Sequence, residues 1–329
     1  MKNNLKIFAL TVFCFNIAAA GIIADTGNKG KIKYVPDTFV ILPAKTKMIF
    51  EWLLPPRDRN GLKPAAENNA QFSVDTKGNL WFGRDNNMLA NFGKNFVLKM
   101  DVPYREFVFL DSGVMYISTD KYLGFIAEIG KKAEADKNGI ISASFQPLAS
   151  LPVPGCSMFP GEGNILYLKG YDNESGDSNV YTFGGKGSTV KTGDKGSALC
   201  YKHIFSVKKP ITAVAGNGKK TYIAMGRMIV EITNGKDGVK GFFVHPSEDI
   251  TGIAYSGKAG IFYSTASYIG YAEGNGCIDF MKASNPRILM QKNILYVFMP
   301  DNYGVLKISN VDDLKNYNFH SKKKSGAEK

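Results

Sequence analysis

Asp75-Thr76-Lys77-Gly78-Asn79-Leu80-Trp81-Phe82-Gly83 reads as the end of one short strand, a tight turn and the start of the next. Upstream, Phe72 and Val74 alternate with polar neighbours, and Lys77-Gly78-Asn79 supplies the residue types that accept a positive φ. Leu80-Trp81-Phe82 then resumes an apolar strand. A single hairpin leaves its apolar face in water, so it must pack on others of its kind.

Weaker copies follow along the chain. Each pairs a short apolar run with a second run that carries one large aromatic ring: Trp81, Tyr116, Tyr167, Tyr222, Phe262 and Tyr296. These anchors lie 35, 51, 55, 40 and 34 residues apart. Several short strands within a period of ~40–50 residues mark the blades of a propeller. One ring per repeat on the second strand suits the gap between neighbouring sheets. The expected fold is all-β: a β-propeller of six blades, spanning residues 38–320. A seventh blade follows if Thr38 to Trp52 forms a complete blade of its own.

A ring of sheets has to be closed, because open strand edges invite aggregation. Two stretches ahead of the first blade are strand-like, Thr38 to Leu42 and Thr46 to Trp52. One of them is expected to complete the last, C-terminal blade. Around Gly78-Asn79-Leu80-Trp81-Phe82-Gly83 the chain resembles the NHL-type and two-component-regulator-type propeller repeats. In those an acidic residue and a Gly-Asn turn precede a Leu-Trp-Phe-like strand. The resemblance implies a propeller and carries no active site with it.

The first residues read as an export leader. Lys2 and Lys6 precede the apolar run Ile7 to Ala20, which ends in Ala18-Ala19-Ala20. Residues 1–20 are therefore expected to be a signal peptide, 21–37 a flexible lead-in and 321–329 a disordered basic tail. The protein is expected to act in the periplasm or as a secreted protein, as a monomer without a transmembrane segment. No later apolar run is long enough to span a bilayer as a helix.

The chain of 329 residues carries a formal net charge of +12. Only six of its 41 basic residues are arginines, and planar recognition of phosphates and bases favours arginine. Specific nucleic-acid binding is not expected; a solvated lysine surface is.

No HxH or HExxH spacing marks a histidine-built zinc site, and no GxSxG elbow marks an activated serine. His203 and His245 read as strand-end histidines. No cofactor is expected, although the oxygens of Asp172, Glu174 and Asp177 are of the kind that a calcium-type ion accepts. The three mature cysteines, Cys156, Cys200 and Cys277, are expected to be unpaired.

The candidate binding surface is the face where the turns between second and third strands meet the connections between blades. Arg84, Asp85, Asp120, Tyr122, Arg227, Asp301 and Tyr303 fall there. Their mixture of charge and tyrosine suits a protein or carbohydrate partner of the cell envelope. The alternative is a metal-dependent propeller enzyme of lactonase or lyase type. Its ligands would come from residues such as Asp75, Glu106, Asp249 or Asp301.

Overall fold

A computed structural model describes residues 39–40, 47–55, 71–92, 96–126, 135–184, 189–191, 197–199, 201–233, 238–273, 276–301 and 304–316. The expected leader, lead-in and basic tail lie outside these residues, as do Cys14, Cys200, Tyr303 and His320.

Asp75 explains why the chain turns where it does. Its Oδ1 accepts hydrogen bonds from the backbone N–H groups of Lys77 and Asn79, both at 2.9 Å. Gly78 between them sits at φ +84°, a conformation most side chains resist. The flanking strands, Phe72–Val74 and Leu80–Asp85, then pair antiparallel, placing Ser73 opposite Trp81. Met88–Asn91 and Phe96–Met100 complete the first blade.

Five more four-stranded antiparallel blades follow in chain order. Their innermost strands are Glu106–Phe109, Ser157–Gly161, Ala213–Gly216, Gly252–Ser256 and Arg287–Gln291. The ring is thus a six-bladed propeller, as the aromatic spacing predicts. Blade six gets its outermost strand from the other end of the chain. Ile49–Leu54 pairs antiparallel with Gly304–Ser309, and the Lys307 ammonium meets Glu51 Oε2 across the seam at 2.9 Å. The second N-terminal candidate is therefore the closing strand. The first, Phe39–Val40, adds to the outer edge of blade five against Met281 and Lys282.

One element belongs to a different sheet from its neighbours in sequence. Ile140–Ala143 leaves blade two and pairs in parallel with Phe96–Met100 on the outer edge of blade one. It covers an edge that would otherwise present unpaired N–H and C=O groups.

The buried side chains fall into six clusters, and each spans the joint between two adjacent blades. Trp81, 1% exposed, packs at 5.5 Å ring separation on Phe109 of blade two. Tyr116 meets Phe183 at the next joint, Tyr222 stacks on Tyr255 between blades four and five, and Phe298 meets Phe72 where blade six returns to blade one. Full burial of a large ring is worth several kcal/mol, so these joints hold the ring together.

Candidate functional site

The six innermost strands surround a central channel with two unlike ends. The interblade face carries the connections between blades and the turns between second and third strands. The hairpin face carries the turns between first and second strands.

On the interblade face the structure places the predicted residues in separate settings. Asp120 and Tyr122 flank the same turn of blade two; Asp120 is joined at 3.6 Å by the guanidinium of Arg105, which the sequence did not single out. Arg227 donates to the Pro246 carbonyl at 3.0 Å, and Asp301 accepts from the Ser284 hydroxyl at 2.5 Å. Arg84 and Asp85 end the second strand of blade one, with side chains outside the described set, as is Tyr303. Tyr122 is 46% exposed, and Tyr171, at the equivalent end of blade three, is 57% exposed. Lys121, Lys208 and Lys209 are exposed on the same face.

Just inside this mouth, Glu106 opens the innermost strand of blade two. Its Oε2 accepts the Met158 backbone N–H of blade three at 2.5 Å. Desolvation raises the Glu106 carboxyl above its ordinary range, against the opposing pull of that N–H, Ser157, Lys169 and Arg105. Desolvation likewise lowers the Lys169 ammonium, and Glu106 opposes that shift. Arg287, which opens the innermost strand of blade six, feels the Glu106 charge as well. A carboxyl among three cations therefore marks this end of the channel. Cys156 lies beside it, its thiol pushed up to about 11, chiefly by burial.

The four carboxylates named for an enzyme do not converge. Asp75 lies on the hairpin face, while Glu106, Asp249 and Asp301 belong to the opposite end and to three different blades. Among the described residues, no group of three or more His, Cys, Asp or Glu side chains is arranged to hold a metal ion. Asp172 and Asp177 face each other across a hairpin, and Asp172 accepts from the Glu174 N–H at 2.9 Å and the Ser175 hydroxyl at 3.0 Å. Those two hydrogen bonds hold its carboxyl below the usual range.

His245 is a buried strut. Its Nδ1 accepts from the Glu248 N–H at 2.9 Å, which assigns the proton to Nε2, 3.5 Å from Asp279 Oδ2. Tyr263 donates to the other oxygen of Asp279 at 2.6 Å. The contact sets the end of blade four against blade five, and the Cys277 thiol is hydrogen-bonded to Tyr263 in the same cluster. His203, exposed, pairs with the Ser206 hydroxyl at 2.8 Å.

At the hairpin face the turns are stitched together around the ring. Asp111 accepts from Gly163 N–H, Glu162 N–H donates to Gly216, and Asn217 Nδ2 donates to the Tyr255 hydroxyl. Ser256 donates to Asn293, and the Lys292 ammonium reaches the Thr76 carbonyl at 2.9 Å. Glu162 Oε1 also takes the Gly257 N–H at 3.2 Å, crossing from blade three to blade five over the axis side of blade four. Between these turns lies a depression of about 60 Å³, walled by blades two, three, five and six.

The chain is a six-bladed β-propeller. It is similar to a luciferin-regenerating enzyme at TM-score 0.52 and 12% identity, covering 80% of this chain and 96% of that one. It is also similar to a gluconolactonase from Xanthomonas campestris at TM-score 0.49 and 8% identity, covering 78% and 94%. Virginiamycin B lyase from Staphylococcus aureus matches at TM-score 0.48 and 13% identity, covering 77% and 86%. At such identities the likeness concerns the fold alone. No protein-family model matches the chain, and no curated protein matches it by sequence.

Proposed function

We propose that this is an exported, non-catalytic binding propeller that captures a protein partner of the cell envelope on its interblade face. The observation that carries the reading is the pair Tyr122 and Tyr171, exposed on adjacent blades of one face beside the Arg105–Asp120 ion pair. Exposed tyrosines offer large contact area at low entropic cost, and arginine adds directional hydrogen bonds; both dominate binding hot spots. Arg227 and Asp301 lie on turns of the same face, where the second strand of blade one also ends. The leader at residues 1–20 supports an extracytoplasmic location, and the Gly78–Gly83 match supports kinship with NHL-type repeats. No helix of the described residues is long and apolar enough to cross a membrane.

A photo-crosslinking residue placed at Tyr122 or Tyr171 in the producing cell tests this. One discrete protein adduct is expected from both positions and none from Val239 on an outer strand. Adducts from Val239 alone would overturn the reading, and a glycan adduct would replace the protein partner with a polysaccharide. A stoichiometric divalent metal in the purified protein would instead favour the metal-dependent enzyme.

A further inference from the structure

The chain leaves blade four for blade five through residues 246–249, on the interblade face, and one imidazole pegs that crossing from beneath. His245 follows the outermost strand of blade four, Val239–Val244, and its backbone N–H donates to the Arg227 carbonyl at 2.7 Å. Its ring Nδ1 accepts the Glu248 N–H at 2.9 Å, with the Ser247 N–H more distant at 3.4 Å. Two further bonds hold the crossing to its neighbours. Arg227 donates to the Pro246 carbonyl at 3.0 Å, and the Ser267 N–H of blade five donates to Glu248 Oε2 at 3.1 Å.

The other ring nitrogen is unmatched. His245 is 1% exposed and its Nε2 has no hydrogen-bond partner. Asp279 Oδ2 stands 3.5 Å away, within ion-pair range but too far for a good hydrogen bond. The two sides of the ring therefore suit different protonation states. Glu248 N–H requires a bare Nδ1, whereas the Asp279 carboxylate suits an imidazolium. Once both nitrogens carry protons, the ring only donates, and the Glu248 N–H loses its acceptor.

The surroundings of the ring are mostly acidic. Asp279 faces it from blade five, where Tyr263 donates to the other Asp279 oxygen at 2.6 Å and Cys277 is hydrogen-bonded to Tyr263. Glu248 belongs to the crossing itself, and Asp249 lies beside Gly226. Against these carboxylates the turn of blade four sets one guanidinium, Arg227. An imidazolium here has a charged partner to turn to, and the crossing has only its two outer bonds left.

We propose that His245 is a proton-operated latch on the interblade face. Neutral, it holds residues 246–249 down; protonated, it turns to Asp279 and releases the crossing together with the Arg227 side chain. Histidine ordinarily changes charge between about pH 5 and 8, so mild acidification works the latch. Any effect on partner capture rests on the binding reading above; the latch itself does not.

Hydrogen exchange over residues 246–250 of the full mature protein, read by mass spectrometry and corrected for the intrinsic rate at each pH, tests the latch without a partner. Between about pH 8 and pH 5, protection there is expected to fall about tenfold, the worth of one hydrogen bond. Lys220–Met225 of the same blade should stay unchanged. His245→Asn offers an amide oxygen near the Nδ1 position and does not titrate, so its protection should be the same at both pH values. If His245→Asn does not fold, Asp279→Asn decides: it removes the charge that draws the imidazolium and should move the release lower by about one pH unit. Equal protection of the wild type at both pH values overturns the proposal. So does a fall that persists unaltered in the deciding variant.

Discussion

The indole Nε1 of Trp81 donates to Asp75 Oδ2 at 3.2 Å, the same oxygen that takes the Asn79 side-chain amide at 2.8 Å. One carboxylate therefore sets the turn with one oxygen and aims the blade's largest ring with the other. The ring then enters the joint with blade two.

Removing that carboxylate should loosen the turn and the joint together. Asp75→Ala is expected to cost about 2–3 kcal/mol, because several donors lose an acceptor at once. Asp75→Asn, which keeps an acceptor oxygen, should cost less. Trp81→Ala should cost about 3–5 kcal/mol by leaving a cavity between blades. Urea unfolding of the three variants checks the order; equal losses for Asp75→Ala and Asp75→Asn would refute the division of labour.

The closing strand should matter far more through its buried face than through its exposed ion pair. Phe50 is 3% exposed in the cluster joining blades five and six, so Phe50→Ala should cost about 3 kcal/mol or more. Glu51→Gln, which breaks the solvent-facing contact with Lys307, should cost under about 1 kcal/mol. Chemical denaturation separates them. A larger effect from Glu51→Gln would show that the seam is held electrostatically.

Glu106 should make stability depend on pH in a direction opposite to that of most carboxylates. Its folded pKa lies above the ordinary value of 4.5, so the folded protein holds this proton more tightly than the unfolded chain does. The contribution is fully favourable below 4.5 and is lost as pH rises through the folded value. Glu106→Gln keeps an acceptor for Met158 and removes the titration. The variant should therefore gain stability relative to wild type as pH rises from 4.5 to 7. Parallel thermal melts across that window are the measurement, and a gap that narrows with rising pH would be the contrary result.

Among the described residues, Cys156 and Cys277 are free thiols. Cys156 is fully buried with its pKa pushed to about 11 from 9.0, so at pH 8 its thiolate fraction falls about a hundredfold. Alkylation of the native protein at pH 8 should spare Cys156, and denaturant should release it. Rapid native labelling of Cys156, mapped by mass spectrometry, would mean that the channel wall opens readily.

What was legible in the sequence was local. The Asp75–Gly83 hairpin declares itself because turn chemistry and strand alternation act within nine residues. The blade count follows because each joint needs a ring at a similar place in its repeat. Which N-terminal strand closes the ring depended on a partner more than 250 residues away, and both candidates carried similar apolar runs. Nothing in Ile140–Ala143 says that it crosses back to blade one, since parallel pairing leaves no turn to read. Glu106 was visible only as an isolated acid. Lys169 and Arg287 become its neighbours through the curvature of the ring. The hairpin-face depression was missed for the same reason: Asp111 and Glu162 in turns of blades two and three, and Gln291 at a strand end of blade six, look like ordinary polar positions one at a time.

Because Ile49–Leu54 pairs with Gly304–Ser309, an early strand and a late strand of the ring are clasped to each other. During synthesis the early strand waits for a mate more than 250 residues further along the chain. Until then the growing product is an open fan with a bare flank at each end, the shape most exposed to proteases and to mispairing with a sister molecule. Any cut that frees the early strand reopens blade six along the edge of Gly304–Ser309.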